Sequence, residues 1–459
     1  MSIVTLAVVG AGDRGFDYAG WALRHPDRAR VVAVAEPRTV RRERFSAAHR
    51  LPAEHVFRDW RELAAAGRVA DAVVIATPDA VHLKPALAFA ELGYHILLEK
   101  PIAPTEPECR QIVAGIERAG VLFAVGHVLR YTAYTKALKA VVDSGRLGAI
   151  ISVQHLEPVG FWHHAHSFVR GNWRNEAEAS FMLLAKSCHD LDWLQHVMGR
   201  PIRRVSSFGG LAHFTAANRP AGAADRCLDC GVEPDCAYSA KRFYFDRLRS
   251  GEHGWPLQVI VDEPTEQAVT DALRVGPYGR CVYACDNDVV DHQVVALEFD
   301  GGATATFTMT AFTEAGLQRH TRIFGTYGEL TGDGRTISVH DFRTQTTDTI
   351  DTAATPAGSV DQGISSCRRG VSGNQSLDQH EDRGGSSSDE HGDADDDGHG
   401  GGDAALMDAF INAVASGDAS HIRSGPAETL NSHLAVFAAE RARLDGTVIT
   451  VGAADTTTV

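Results

Sequence analysis

Val4-Thr5-Leu6-Ala7-Val8-Val9, an apolar run, leads directly into Gly10-Ala11-Gly12-Asp13-Arg14-Gly15. In this G-x-G-x-x-G spacing Gly10 permits a tight turn, Gly12 lets a pyrophosphate approach the backbone, and Gly15 allows close packing of the next helix. Residues 16–24 read as that helix, whose N-terminal N–H groups would lie under the phosphates. A second apolar strand, 30–35, ends in Glu36, about 20 residues past the last glycine, where a carboxylate can accept both ribose hydroxyls. A glycine turn that binds nothing is the competing reading, and strand, helix and acid together outweigh it. With Arg14 inside the turn, these residues are the expected dinucleotide contacts. Glu36 would repel a 2′-phosphate and favours NAD, while the nearby Arg38 leaves NADP open.

The pattern continues outward as a doubly wound parallel sheet through residue 127. Strands are expected at 69–76, 94–98 and 121–125, with helices at 81–92 and 106–119. Cofactors bind at the carboxyl ends of such strands, where Thr77-Pro78, followed by His82, and Glu99-Lys100 fall. Beyond 127 the pattern becomes antiparallel. Residues 149–157, 293–299 and 304–310 read as strands, the last two joined through Asp300-Gly301-Gly302, and a helix is expected over 181–198. The fold class is therefore α/β: an N-terminal Rossmann sheet (1–127) followed by an α+β domain with an open, largely antiparallel sheet (128–352). Residues 353–402, rich in Ser, Gly, Asp and His, are expected to be a disordered low-complexity segment. Helices at 404–415 and 426–444 and a strand at 447–451 are expected to complete the second domain (403–459).

The length of 459 residues exceeds a usual single core, and 44% hydrophobic content suits a globular enzyme. A net charge of −15 argues against nucleic-acid or anionic-membrane partners. Much of that excess sits in 381–397. No apolar run is long enough to cross a bilayer, and the N-terminal run is already used by the first strand. A cytoplasmic location is expected, so the eight cysteines are read as metal ligands, buried residues or reactive thiols.

Glu99-Lys100-Pro101 is the second strong signal. A lysine at the cofactor edge can exchange a proton with a substrate hydroxyl as hydride leaves the same carbon. A solvated loop lysine is the plain alternative. The glycine turn, Ala76-Thr77-Pro78, Glu99-Lys100-Pro101 and Ser187-Cys188-His189-Asp190-Leu191-Asp192 together resemble the Gfo/Idh/MocA oxidoreductases. The resemblance implies a Rossmann domain and an α/β domain with a sugar or cyclitol between them. It carries the catalytic lysine to Lys100 and the helix histidine to His189. Many members place an aspartate four residues before that histidine, and here the position is Ala185. Lys186 and Asp190 flank the gap and are the candidate partners of His189.

Phe161-Trp162-His163-His164-Ala165-His166 and Arg170-Gly171-Asn172-Trp173-Arg174 are dense in aromatic and basic groups. Aromatic faces suit a sugar ring and arginines suit an acidic substituent. His163, His166, Arg170, Trp173 and Arg174 are the expected substrate contacts. Cys227-x-x-Cys230, Cys236 and Cys281, preferred over Cys285, are read as ligands of a structural zinc that would staple the coreless stretch 212–283.

The activity expected is hydride transfer between a nicotinamide cofactor and a sugar, cyclitol or polyol derivative, by a homo-oligomer associating through the second sheet. One alternative is an NAD-dependent glycosidase or lyase acting by transient oxidation of the sugar. Another is a dinucleotide-sensing regulator, against which the intact Glu-Lys-Pro speaks.

Overall fold

A computed structural model describes residues 3–314, 318–353 and 399–452. The segment expected to be disordered lies, from 354 to 398, outside the described residues.

Six strands, β1 (Val4–Val9), β2 (Ala29–Ala35), β3 (Val56–Phe57), β4 (Ala72–Ile75), β5 (His95–Leu98) and β6 (Phe123–Val125), form one sheet in the order β3-β2-β1-β4-β5-β6. Every neighbouring pair is parallel. Strands buried on both faces read as continuous apolar runs, which is why this half was legible. Leu6, Val8, Val74 and Leu97 face one side, and Ala7, Val9, Val73, Ile75, Ile96 and Leu98 the other. The strand order reverses between β1 and β4, and ligands of such sheets bind at that crevice.

The first face is covered by the Asp13–Arg24 helix, through Tyr18 and Trp21, and by the Gly402–Ser416 helix, through Leu406, Met407 and Phe410. The stretch 403–459 thus does not all join the second domain, because the apolar stripe of its first helix closes the Rossmann core. The Pro426–Asp445 helix, buried around most of its circumference, packs on the other face and bridges to the second domain.

That domain is a nine-stranded sheet: β7 (Ile150–Pro158), β8 (Ile202–Gly210), β9 (His292–Phe299), β10 (Thr304–Thr310), β11 (His320–Gly325), β12 (Gly328–Gly332), β13 (Thr336–Asp341), β14 (Thr346–Asp351) and β15 (Ile449–Thr450). Their order is β14-β13-β12-β11-β7-β10-β9-β8-β15, and only β7–β10 pair in parallel. Gly301 and Gly302 of the β9–β10 turn both have φ +86°, the left-handed region glycine favours. On β7, Val153, His155 and Glu157 all point to the buried face.

The helix expected over 181–198 is two helices, Met182–Ala185 and Cys188–Met198, broken at Lys186-Ser187. The stretch 212–283 is not coreless either. Its helices Ala240–Ser250 and Glu266–Val275 close over Tyr244, Leu257, Val269, Leu273 and Tyr278.

Candidate active site

The glycine turn has the stereochemistry its sequence implied. Gly10 has φ +94°, and a Cβ there would lie 2.5 Å from Ala76 O. A Cβ on Gly15 would lie 2.0 Å from Gly10 O. At Gly12 a Cβ would meet only the Arg41 guanidinium, at 3.2 Å, so this face of the loop is open to a phosphate. Glu36, buried at the end of β2, accepts from Ala11 N–H at 2.8 Å and Arg38 N–H at 2.9 Å. The carboxylate therefore sits beside the turn, where a ribose would lie. These residues fit a dinucleotide.

Other expected cofactor contacts are occupied by the protein. Arg14 turns inward. Its Nε donates to Glu99 at 2.5 Å, and its Nη2 donates to Tyr18 Oη at 2.6 Å and to Asp403. Burial pushes the Glu99 pKa up, but Arg14 and then Lys100 outweigh it and hold Glu99 below its usual range. His82, fully buried, bridges the carbonyls of Thr77 (2.9 Å) and Pro101 (3.0 Å). Arg14 and His82 are thus braces of the loops around the site. Thr77 keeps a buried hydroxyl that meets no partner among the described residues.

Lys100 follows β5, and the Lys100–Pro101 peptide is cis. Its Nζ donates to Ala185 O at 2.7 Å. A continuous helix would bond that carbonyl to His189 N–H; the break at Lys186-Ser187 turns it over to the lysine. Behind the turn, His433 accepts from Ile102 N–H at 3.1 Å while its Nδ1–H donates to Thr429 O at 2.7 Å. Burial pushes the His433 pKa down to about 4, so this strut is neutral.

Around His189 lies a buried network of balanced charge. Lys186 Nζ is 3.0 Å from Glu157 Oε1, and Arg319 Nη2 is 2.9 Å from Glu157 Oε2. Arg319 Nε donates to Asp190 Oδ1 at 2.5 Å, and His155 Nε2 lies 3.3 Å from the same oxygen. Arg319 Nη2 also lies 2.8 Å from His189 Nε2. Burial lowers the Lys186 pKa, opposed by Glu157. Asp190 is held far below the usual carboxylate range: burial raises it, but Arg319 and His189 prevail. Lys186, His189 and Asp190 are therefore together, as expected, with Glu157, His155 and Arg319 added. The first two of these had a signal, since polar residues on the inward face of an alternating strand need partners. Arg319, in a loop between strands, had none.

The expected substrate contacts divide. His163 is buried, and Lys186 figures among the charges that act on it. Trp173 is 40% exposed. His166 instead faces the 212–290 region, its Nδ1 2.5 Å from Tyr244 Oη, and stacks on Tyr278. Arg170 donates to the carbonyls of Arg280 and Tyr238, both at 2.7 Å. Arg174 pairs with Asp286 through two bonds of 2.9 and 3.0 Å. With these donors satisfied, the two arginines hold the 212–290 region and not a ligand's acid group.

Cys227, Cys230, Cys236 and Cys281 do line one small cavity. Yet among the described residues no group of three or more His, Cys, Asp or Glu is arranged to hold a metal ion. The Arg170 guanidinium donates to Cys227 Sγ at 3.6 Å. The expected zinc site is therefore not supported, and the stretch has an apolar core of its own.

Two family descriptions match this chain. "Oxidoreductase family, NAD-binding Rossmann fold" covers residues 4–127, and "Oxidoreductase family, C-terminal alpha/beta domain" covers 139–420. The chain belongs to the Gfo/Idh/MocA oxidoreductases. A 2,7-anhydro-N-acetylneuraminate hydratase of Escherichia coli K12 is 25% identical over 293 residues, 60% of this chain and 71% of that protein. Inositol 2-dehydrogenase 1 of Mycolicibacterium vanbaalenii is 33% identical over 162 residues, 35% of this chain and 46% of that protein. The crystal structure of an oxidoreductase domain protein from Kribbella flavida superposes with TM-score 0.68 at 16% identity, covering 99% of this chain and all of that one. The last likeness concerns the fold alone. Among the described residues, no helix is long and apolar enough to cross a membrane.

Proposed function

We propose that this oxidoreductase moves hydride between NAD and a hydroxyl-bearing carbon of a sugar, cyclitol or related polyol derivative, with Lys100 as the acid/base. The observation that carries this reading is the placement of Lys100. It follows an interior strand at the cofactor edge of the sheet, its Nζ held by Ala185 O of the second domain, four residues before His189. When bound, NAD supplies the hydride acceptor. Gly10, Gly12 and Gly15 shape the phosphate loop, Glu36 receives the ribose and discriminates against a 2′-phosphate, and Thr77, Pro78 and Glu99 line the same strand ends. Lys100 takes the hydroxyl proton on oxidation and returns it on reduction. His189, backed by Lys186 and Asp190, holds the reacting oxygen, and His163 and Trp173 are the remaining candidates to contact the ring.

A second reading keeps these residues and closes the redox cycle on the enzyme, so that a glycosidic or anhydro bond breaks without net oxidation. Ala185 in place of the usual aspartate favours it, as does the E. coli relative named as a hydratase. Purified protein screened against sugars, cyclitols and glycosides, with NADH and product both recorded, separates the two. A dehydrogenase accumulates NADH with product, whereas the redox-neutral enzyme turns over on catalytic NAD.

The outer face of the second sheet suits self-association. Phe208, Val294, Thr308 and Leu156 form one cross-strand row, and Phe208 is 71% exposed. A homo-oligomer through this face should be disrupted by Phe208→Glu in light scattering, while a wild-type monomer would refute it.

A further inference from the structure

We propose that Arg319 fixes His189 as the neutral Nδ1–H tautomer, so that His189 donates a hydrogen bond to the reacting oxygen and Lys100 alone carries the proton. The inference rests on the functional reading above and deepens it. A guanidinium has five donors and no acceptor, so at 2.8 Å the His189 Nε2 must be the acceptor and carries no hydrogen. Turning the ring over would set Cε1–H against the guanidinium and lose the bond. Asp190 Oδ2, 3.5 Å from the same nitrogen, is too distant to claim a proton from it. The hydrogen therefore sits on Nδ1, which is buried and meets no acceptor among the described residues. A buried donor left unpaired costs about 1–3 kcal/mol; a substrate oxygen removes that cost.

The surroundings hold the imidazole neutral. Burial acts first to lower its pKa; Asp190 opposes, while Arg319, Lys100 and Lys186 add to the lowering. From β7, Glu157 faces Lys186 and Arg319 and His155 faces Asp190, and Arg319 also pairs with Asp190, so both carboxylates already have a cationic partner. Asp190, the carboxylate beside the ring, is thus held by Arg319, and position 185, where an aspartate would have offered a second, is Ala185. The step then balances without His189 gaining or losing a proton. The hydroxyl proton passes to the Lys100 amine, the C–H hydrogen leaves as hydride to the nicotinamide, and the new carbonyl oxygen accepts from Nδ1–H.

Two substitutions separate a donor from an acid/base. The Asn amide nitrogen overlies Nδ1, and the Gln amide nitrogen overlies Nε2, so only His189→Asn keeps a donor in place. As an oxyanion-type donor, Nδ1–H should be worth about 10²–10³ in rate. His189→Asn should stay within about tenfold of wild type while His189→Gln and His189→Ala lose about 10²-fold or more. Independently of any substrate, long-range ¹H–¹⁵N spectra of histidine-labelled protein, assigned by loss of the signal in His189→Asn, should show an Nδ1–H imidazole that does not titrate between about pH 5 and 8. Arg319→Gln should release that tautomer, and Arg319→Lys, which keeps the charge, guards against misfolding. An Nε2–H or protonated ring, or equal loss in Asn and Gln variants, overturns the proposal. A correct tautomer with no hydride transfer to NAD would instead sink the functional reading.

Discussion

Glu157→Gln tests the buried charge network most simply. Glu157 lies between Lys186 Nζ at 3.0 Å and Arg319 Nη2 at 2.9 Å, with no solvent access. Two cations face two carboxylates there, and the substitution leaves one positive charge in excess. Breaking a buried pair by removing one partner costs about 3–5 kcal/mol. Unfolding entropy of about 2.1 cal/mol/K per residue over roughly 400 ordered residues gives about 0.8 kcal/mol/K. The expected fall in Tm is therefore about 4–6 °C for a single transition. Lys186, already lowered by burial, answers by shedding its proton, so the loss should ease at high pH. Glu157→Gln/Lys186→Met should recover more than half of it, because the orphaned cation is then gone. Calorimetry of the four proteins of this cycle is the assay. A Glu157→Gln Tm within about 1 °C of wild type, or a double variant worse than either single, refutes the reasoning.

Stability should fall on mild acidification. Burial pushes His127 and His166 down to about 3 and His164 and His433 down to about 4. The unfolded chain binds protons near pH 6.5 while the folded one does not, so stability is complete above that value and declines toward pH 4. A Tm that stays flat from pH 7 to pH 5 would contradict this. Gly15→Ala, whose Cβ would meet Gly10 O at 2.0 Å, should abolish NAD binding in calorimetric titration even where the protein folds; retained affinity would remove the loop from the phosphate site. Glu36→Ala should lower the NAD-to-NADP affinity ratio, and an unmoved ratio would place Glu36 away from the ribose.

The Rossmann half was legible because its strands are uninterrupted apolar runs and its glycines obey steric demands that Gly10 and Gly15 display directly. The antiparallel half was less so. The β9–β10 hairpin announced itself through Asp300-Gly301-Gly302, whereas β11 to β14 are short and rich in polar and Thr residues. At the site, local spacing found Lys100 and His189 but could not foresee that the helix breaks at Lys186-Ser187. Arg170 and Arg174 misled because an arginine's type tells nothing of which acceptors the fold brings to it. Arg319 lies 130 residues from His189 and Asp403 lies 389 from Arg14, and such pairings exist only once the chain has folded. The cysteine spacing pointed to one locality, and the cavity collects those four residues, yet proximity is not a ligand set.

Turnover of wild type against Lys100→Met, with NAD and a polyol or cyclitol panel, tests most directly whether Lys100 carries the hydroxyl proton during hydride transfer. Cofactor reduction, product release and NAD affinity would be followed together. Loss of one acid/base group costs about 10²–10⁴-fold, or about 3–5.5 kcal/mol of barrier, while the Ala185 O bond is worth only about 1 kcal/mol of stability. Lys100→Met should fold and bind NAD nearly as wild type but turn over about 10²–10⁴-fold more slowly. A variant within about threefold of wild type on a substrate that the wild-type enzyme oxidises would contradict it.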